Sequence, residues 1–281
     1  MGSCCPGGTK PGDMDRAPSG AAARRAERAT AKGQASKASL RDKLDRAGKT
    51  GVLGLADAKL KEIPEQAFAL TKLRTLDLQK NLITAVPPQL SALVGLKTLN
   101  LANNQISALP SGLAALKALQ TLKLESNHLT TLPALPASLK TLFLDSNALT
   151  AVPDAVRQLK QLVELSMAGN QLGSLPGWLG ELPKLASVDA SRNRITTVED
   201  GIRASSSLQV LLLAHNQLRE PPAAALAAPA LFRLRLEGNS ITKGQLTAAP
   251  GWEDFDRRRQ DQVSKQISGG MTDTDRTICG L

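Results

Sequence analysis

The chain has 281 residues and a net charge of +10, and 42% of it is hydrophobic but only 2% aromatic. A core with so few aromatic side chains has to be built from Leu, Val, Ile and Ala, which is typical of stacked repeats. Three cysteines are too few for a disulfide framework or a zinc site. The chain also lacks a secretory signal and the roughly 20-residue apolar run of a spanning helix, so we expect an intracellular protein.

Residues 1–45 form a basic arm. The first fifty residues hold 11 Lys and Arg against 5 Asp and Glu, a net charge of 11 − 5 = +6. With Leu40 and Leu44 as its large aliphatic residues, the arm cannot bury enough apolar surface to offset chain entropy, so we predict disorder. A short capping helix is predicted from Ser39, its N-cap, to about Ala47.

The first residues of the arm carry an acylation pattern. Gly2 is a myristoylation site once the initiator methionine is removed, and Ser3 is a suitably small neighbour. Cys4 and Cys5 would be palmitoylation sites beside it, and two acyl chains hold a protein stably at a membrane. Pro6 stands where the pattern has Ser or Thr, so an unmodified arm is the alternative.

Basic residues farther along the arm suit an anionic membrane, where each contributes about 1 kcal/mol. Nucleic acid is another polyanion that such residues suit. No aromatic residues interleave them and no nucleic-acid-binding fold is indicated, so we expect lipid and no nucleic acid; plain solvation of the arm is the third interpretation. The residues predicted to contact the membrane are Arg24, Arg25, Arg28 and Lys32.

A repeat runs through residues 46–250. Read around Asn81, it is L-x-x-L-x-L-x-x-N-x-I-x-x-V-P-x-x-L-x-x-L. The frame recurs every 23 residues, except for one step of 20 from Asn127 to Asn147, and Ala58 replaces Asn in the first of nine units. The repeated asparagines, predicted to be structural, are Asn81, Asn104, Asn127, Asn147, Asn170, Asn193, Asn216 and Asn239.

Each part of the repeat has a physical interpretation. The L-x-L alternation predicts a short strand with one buried face. The Asn amide is predicted to satisfy backbone groups in the bend after the strand. The following V/L-P pair fixes an extended turn, because Pro locks φ and disfavours helix in the residue before it.

This frame resembles the leucine-rich-repeat family. The resemblance implies an α/β fold, a curved right-handed horseshoe whose parallel strands line the concave face, and a function in binding other proteins. The shortened unit that contains Leu132 to Leu139 resembles a short repeat class of bacterial effectors; we interpret it as a local deletion in the convex loop. Residues 47–52 and 251–255 resemble the first and last segments of one particular family member.

After the last repeat, residues 251–267 are predicted to form a capping helix. Trp252 and Phe255 lie three residues apart, and aliphatic residues continue the helical spacing, so one face would cover the exposed end of the last repeat. Residues 268–281 are polar and are predicted to be a disordered tail.

Strand alternation places the residues two, four and six positions before each Asn on the concave face. Large apolar residues and charges occur there, and interfaces favour aromatic and Arg anchors in a polar surround. We therefore predict that an unidentified protein binds this face; scattered apolar residues on an ordinary surface are the alternative. The predicted partner-binding residues are Asp77, Lys123, Phe143, Asp145, Asp189, Val210, Leu212, Arg233 and Arg235.

No residue pattern predicts catalysis. His128 and His215 are isolated, and neither a nucleophile–base set nor a phosphate-binding Gly loop is recognisable. We expect no enzymatic activity, catalytic residue, metal, cofactor or small-molecule substrate. The leading interpretation is a non-enzymatic scaffold at the cytoplasmic face of a membrane. The alternative is a soluble adaptor or inhibitor subunit that binds its protein partner without membrane attachment.

Overall fold

The computed structural model describes residues 40–268 and 279–281. The described part begins with helix α1 over residues 40–50, in which Ala47 is buried. Gly51 follows with φ 74°, and its N–H donates to the Ala47 carbonyl at 2.8 Å. This backbone conformation suits glycine and ends the helix just before the first strand.

Nine three-residue strands of the described chain form one parallel sheet. Within each strand the central residue is buried and points into the core, while its two neighbours are exposed or half-exposed. These strands are β1 (Val52–Gly54), β2 (Thr75–Asp77), β3 (Thr98–Asn100), β4 (Thr121–Lys123), β5 (Thr141–Phe143), β6 (Glu164–Ser166), β8 (Ser187–Asp189), β10 (Val210–Leu212) and β11 (Arg233–Arg235). Two further strands, β7 (Ser174–Leu175) and β9 (Thr197–Val198), pair in a separate two-stranded sheet.

The strands stack in the register that the sequence frame predicts. Leu76 of β2 pairs with Leu99 of β3, one repeat later in the chain. The 20-residue step keeps this register, since Leu122 of β4 pairs with Leu142 of β5. The deletion therefore lies in the return arm and leaves the sheet intact.

The return arms mostly contain one turn of 3₁₀ helix. Pro precedes five of the six turns, and its extended backbone ends the bend before the helical turn begins, as at Pro87 with φ −73° and ψ 149°. The 3₁₀ helices are η1 (Glu65–Ala69), η2 (Pro88–Ala92), η3 (Ser111–Ala115), η4 (Asp154–Gln158), η5 (Gly177–Glu181) and η6 (Asp200–Ala204), and a short helix α2 (Ala223–Leu226) takes this place in the last arm.

A helical cap closes the core beyond the last repeat. Helix α3 (Lys243–Thr247) leads to helix α4 (Trp252–Ser268), in agreement with the predicted capping helix. Phe255 of α4 is fully buried and its ring lies 5.7 Å from that of Trp252. The Arg258 guanidinium donates to the carbonyls of Leu231 at 2.8 Å and Leu226 at 2.7 Å, and burial lowers its pKa.

Residues 279–281, which the sequence placed in a disordered tail, lie beside β11. The Leu236 N–H donates to the Cys279 carbonyl at 2.9 Å, and Cys279 is buried. The remainder of the predicted tail, 269–278, and the arm up to residue 39 lie outside the described residues.

Within the described ranges, no helix is long and apolar enough to cross a membrane. The same ranges contain no group of three or more His, Cys, Asp or Glu side chains placed to hold a metal ion.

Candidate functional site: the concave sheet face

A ladder of repeat asparagines, seven of them buried, fixes the bend after each strand and so holds the concave face in shape. The Asn104 amide donates to the carbonyls of Leu78 and Leu101, both at 3.0 Å. Its Oδ1 accepts from the Ile83 N–H at 3.1 Å. The other seven repeat asparagines make the equivalent contacts. Each one thus joins its own strand to the bend of the preceding repeat.

The first repeat needs no asparagine because no repeat precedes it. Ala58 stands at that position, and its N–H donates to Oδ1 of Asn81 at 3.0 Å. The asparagine of the second repeat thus closes the bend of the first. Ala58 in place of asparagine therefore does not leave the backbone of this bend without hydrogen bonds.

The predicted partner-binding residues lie on the outward positions of the sheet. Eight belong to the three-residue strands, and Asp145 follows β5 by two positions. Register brings several of them side by side: Lys123 with Phe143, Val210 with Arg233, and Leu212 with both Asp189 and Arg235. Asp77 lies two strands from Lys123 and joins neither group.

Phe143 is half-exposed and lies against a basic side chain of the neighbouring strand. The Lys123 Nζ lies 5.4 Å from the centroid of its ring, at cation–π distance. The two side chains therefore form one unit on adjacent strands, with an ammonium group over an aromatic face.

An acidic pair lies beside this unit, and the sequence prediction included only one of its members. Burial raises the pKa of Glu125, and the charge of Asp145 adds to the effect against a backbone hydrogen bond and Lys123. Glu125 Oε2 is buried and has no hydrogen-bond partner among the described residues. Glu125 stands two positions before Asn127, just as Asp145 precedes Asn147, so the repeat frame already placed the two on neighbouring strands.

The carboxylate of Asp145, unlike Glu125 Oε2, accepts hydrogen bonds from its neighbours. The Ser166 hydroxyl donates to its Oδ1 at 2.5 Å, and the Ala168 N–H donates to the same oxygen at 2.8 Å. Burial nevertheless raises the pKa of Asp145 above its ordinary value. A cation brought by another molecule would stabilise both ionised carboxylates, since like charges and desolvation oppose them in the free protein.

The predicted lipidation residues and membrane contacts belong to the N-terminal arm. Gly2, Cys4 and Cys5, and the basic residues from Arg24 to Lys32, lie outside the described residues, and their roles stay predictions.

The stacked parallel strands, the asparagine ladder and the 3₁₀ return arms define a leucine-rich-repeat solenoid. A family model for the leucine rich repeat matches residues 51–106, 71–129 and 137–195. The chain belongs to the leucine-rich-repeat family. No curated protein matches it, and the particular likeness of its end segments to leucine-rich repeat-containing protein 57 is not confirmed.

Solved structures with a similar fold include receptors bound to their partners. The ectodomain of the membrane receptor kinase GASSHO1/SCHENGEN3 from Arabidopsis thaliana, in complex with CASPARIAN STRIP INTEGRITY FACTOR 2, is 32% identical with a TM-score of 0.55, over 63% of this chain and 23% of that one. The plant peptide hormone receptor RGFR1 in complex with RGF2 is 27% identical with a TM-score of 0.53, over 63% and 30%. PEPR1 with AtPEP1 is 25% identical with a TM-score of 0.56, over 64% and 27%. The chain thus spans under a third of each receptor structure.

Proposed function

We propose that this protein is a non-enzymatic scaffold that binds a protein partner on the concave face of its sheet. The observation that carries the proposal is the acidic pair Glu125 and Asp145 beside the Lys123–Phe143 unit. Half-buried carboxylates with raised pKa values are unfavourable when ionised in the free protein, and a partner that neutralises them recovers that free energy on binding.

The chemistry of the face indicates a basic segment in the partner. A Lys or Arg side chain that reaches Glu125 would give its Oε2 the hydrogen bond that it lacks among the described residues. Such charge-assisted bonds are stronger than neutral ones. Val210 and Leu212 are half-exposed and belong to β10, which is three strands from β5 in the sheet. They offer apolar area on the same face beyond the acidic pair.

Three structures with a similar fold hold a protein or peptide ligand, which supports binding of a protein by the solenoid. Those ligands belong to the receptors and are not carried over to this chain.

Site-specific cross-linking tests which face binds. A photo-reactive phenylalanine analogue replaces Phe143 in one protein and Val94 in a matched control; Val94 is 58% exposed and lies outside the strands. In extracts of the source cells we expect a discrete cross-linked product from position 143 and none from position 94. Asp145→Lys in the first protein should abolish the product, because it reverses the charge of the site. A product from position 94 alone would contradict the proposal.

Membrane attachment through an acylated arm is the second proposal, and it rests on the sequence. Gly2, Cys4 and Cys5 supply two acylation chemistries, and the basic arm supplies attraction to anionic lipid. The scaffold would then act at the cytoplasmic face of a membrane.

The intact mass of the natural protein tests this attachment directly. We expect the wild-type protein to be heavier than its sequence by one myristoyl group. In Gly2→Ala this extra mass should disappear, and the variant should be released to the cytosol. An unmodified mass together with a wholly cytosolic wild-type protein would leave the soluble adaptor as the function.

A further inference from the structure

Residues 279–281 lie against the outer edge of β11, the last strand of the sheet among the described residues. Inside the solenoid, each repeat donates a backbone N–H to the following strand; Leu213, for example, donates to the Arg235 carbonyl at 2.9 Å. Leu236 is the equivalent residue one repeat later, and its N–H donates to the Cys279 carbonyl, also at 2.9 Å. Cys279 therefore takes the position that the next strand would take.

These residues then turn away from the edge. Cys279 has φ 54° and Gly280 has φ 77°, and two successive left-handed residues bend the chain where a strand would continue. A full strand would present a new edge of its own. The hydrogen bond to the Cys279 carbonyl, followed by a turn, covers the edge of β11 without extending the sheet.

Residues 279–280 pack closely against Glu237, and one oxygen of its carboxylate stays buried without a hydrogen bond among the described residues. Cys279 is 3% exposed, and a Cβ at Gly280 would overlap the Glu237 carboxylate. Glu237 Oε2 is buried and has no hydrogen-bond partner among the described residues. A buried carboxylate oxygen without a partner is unfavourable, so the unpaired Glu237 Oε2 opposes part of the stabilisation that docking of these residues brings.

We propose that residues 279–281 form a releasable edge cap. When docked, the cap shelters the Cys279 thiol and keeps the edge of β11 from pairing with a strand of a second copy of the chain. When released, the cap exposes the Cys279 thiol and the edge of β11. The cap is independent of the concave-face partner, because it acts through the backbone of the outermost strand rather than through the outward side chains.

Labelling of Cys279 with a maleimide reports the position of the cap. Cys4→Ser and Cys5→Ser remove the other two cysteines of the chain, so the rate of labelling belongs to Cys279 alone. In this background we compare Gly280→Ala with Gly244→Ala. A Cβ at Gly244 meets no atom within 4 Å, whereas one at Gly280 meets Glu237 in a backbone conformation that alanine disfavours by about tenfold.

The reference protein and Gly244→Ala should label much more slowly than the unfolded chain, and Gly280→Ala should label about ten times faster than either. Sedimentation at high concentration should show association of Gly280→Ala and a monomer for the control. Labelling of the reference protein at the unfolded rate, or no difference between the two variants, would overturn the docked cap. Fast labelling of Gly280→Ala that remains monomeric would overturn its protection of the edge. Gly280→Val, with a bulkier side chain, repeats the test.

Discussion

The buried bends and the concave face of this solenoid come from the same strands, yet they vary very differently from one repeat to the next. In the bends, asparagine recurs eight times with the same hydrogen bonds, as at Asn104 and Asn170. On the concave face, the residue four positions before an asparagine is acidic, amide, basic, aromatic, hydroxyl or aliphatic, depending on the repeat. A repeated chemical environment demands a repeated residue, whereas the outward positions are free to differ. Under the proposed function, these differences would determine which partner binds.

The largest expected effect follows from breaking the bend. Asn147→Leu removes hydrogen bonds to Leu124, Leu129, Leu144 and Asp145 and leaves buried backbone groups unpaired. We expect a loss of about 4 kcal/mol in the free energy of unfolding, measured by chemical denaturation. Asn239→Leu is the matched comparison, since Asn239 is only half-buried and should cost less. Equal stability of Asn147→Leu and wild type would contradict the role of the ladder.

A smaller effect is expected at the end of the solenoid. Phe255→Ala empties a fully buried position in α4 and should cost about 3 kcal/mol. The rate of amide hydrogen exchange in Phe255→Ala should rise most around β11 and little around β2, because each repeat contacts mainly its neighbours. Uniform loss of protection along the sheet would show that the solenoid unfolds as one unit and that α4 is no local cap.

The smallest effect is expected on the concave face. Because the pKa of Glu125 is raised in the folded state, its contribution to stability is present at low pH and is lost as pH rises through the folded pKa. Glu125→Gln should therefore raise the melting temperature at pH 7 by at most about 2 °C, and the gain should vanish near pH 3. Glu164→Gln, at an exposed position of the same face, serves as the control. A lower melting temperature for Glu125→Gln at pH 7 would be evidence against the raised pKa.

The contrast between bends and face also explains how far the sequence could be interpreted. Periodic Leu and Asn predicted the strands and their register, because these depend on contacts that every repeat makes in the same way. The capping helix was predicted separately, from the helical spacing of Trp252 and Phe255. The frame also placed Glu125 beside Asp145, but not the burial of the pair or the position of Lys123 over Phe143. Those depend on the side-chain conformations that one set of neighbours imposes.

The docked segment at residues 279–281 had no signal in the sequence. It lies outside the repeat frame, and its contact with β11 includes a backbone hydrogen bond and two left-handed residues. Backbone hydrogen bonding of this kind is available to almost any residue, so it leaves no pattern of residue types to detect.

The direction of the asparagine contacts bears on how the protein is made. Each asparagine completes the bend of the repeat before it, as Asn81 does for Ala58 and Leu60. A repeat that has just left the ribosome therefore keeps unpaired backbone groups until the next 23 residues emerge. Growth of the chain proceeds as a series of such completions, each stabilising the repeat already made. An interruption of synthesis within the solenoid would leave one incomplete bend at the growing end, while the repeats behind it stay closed.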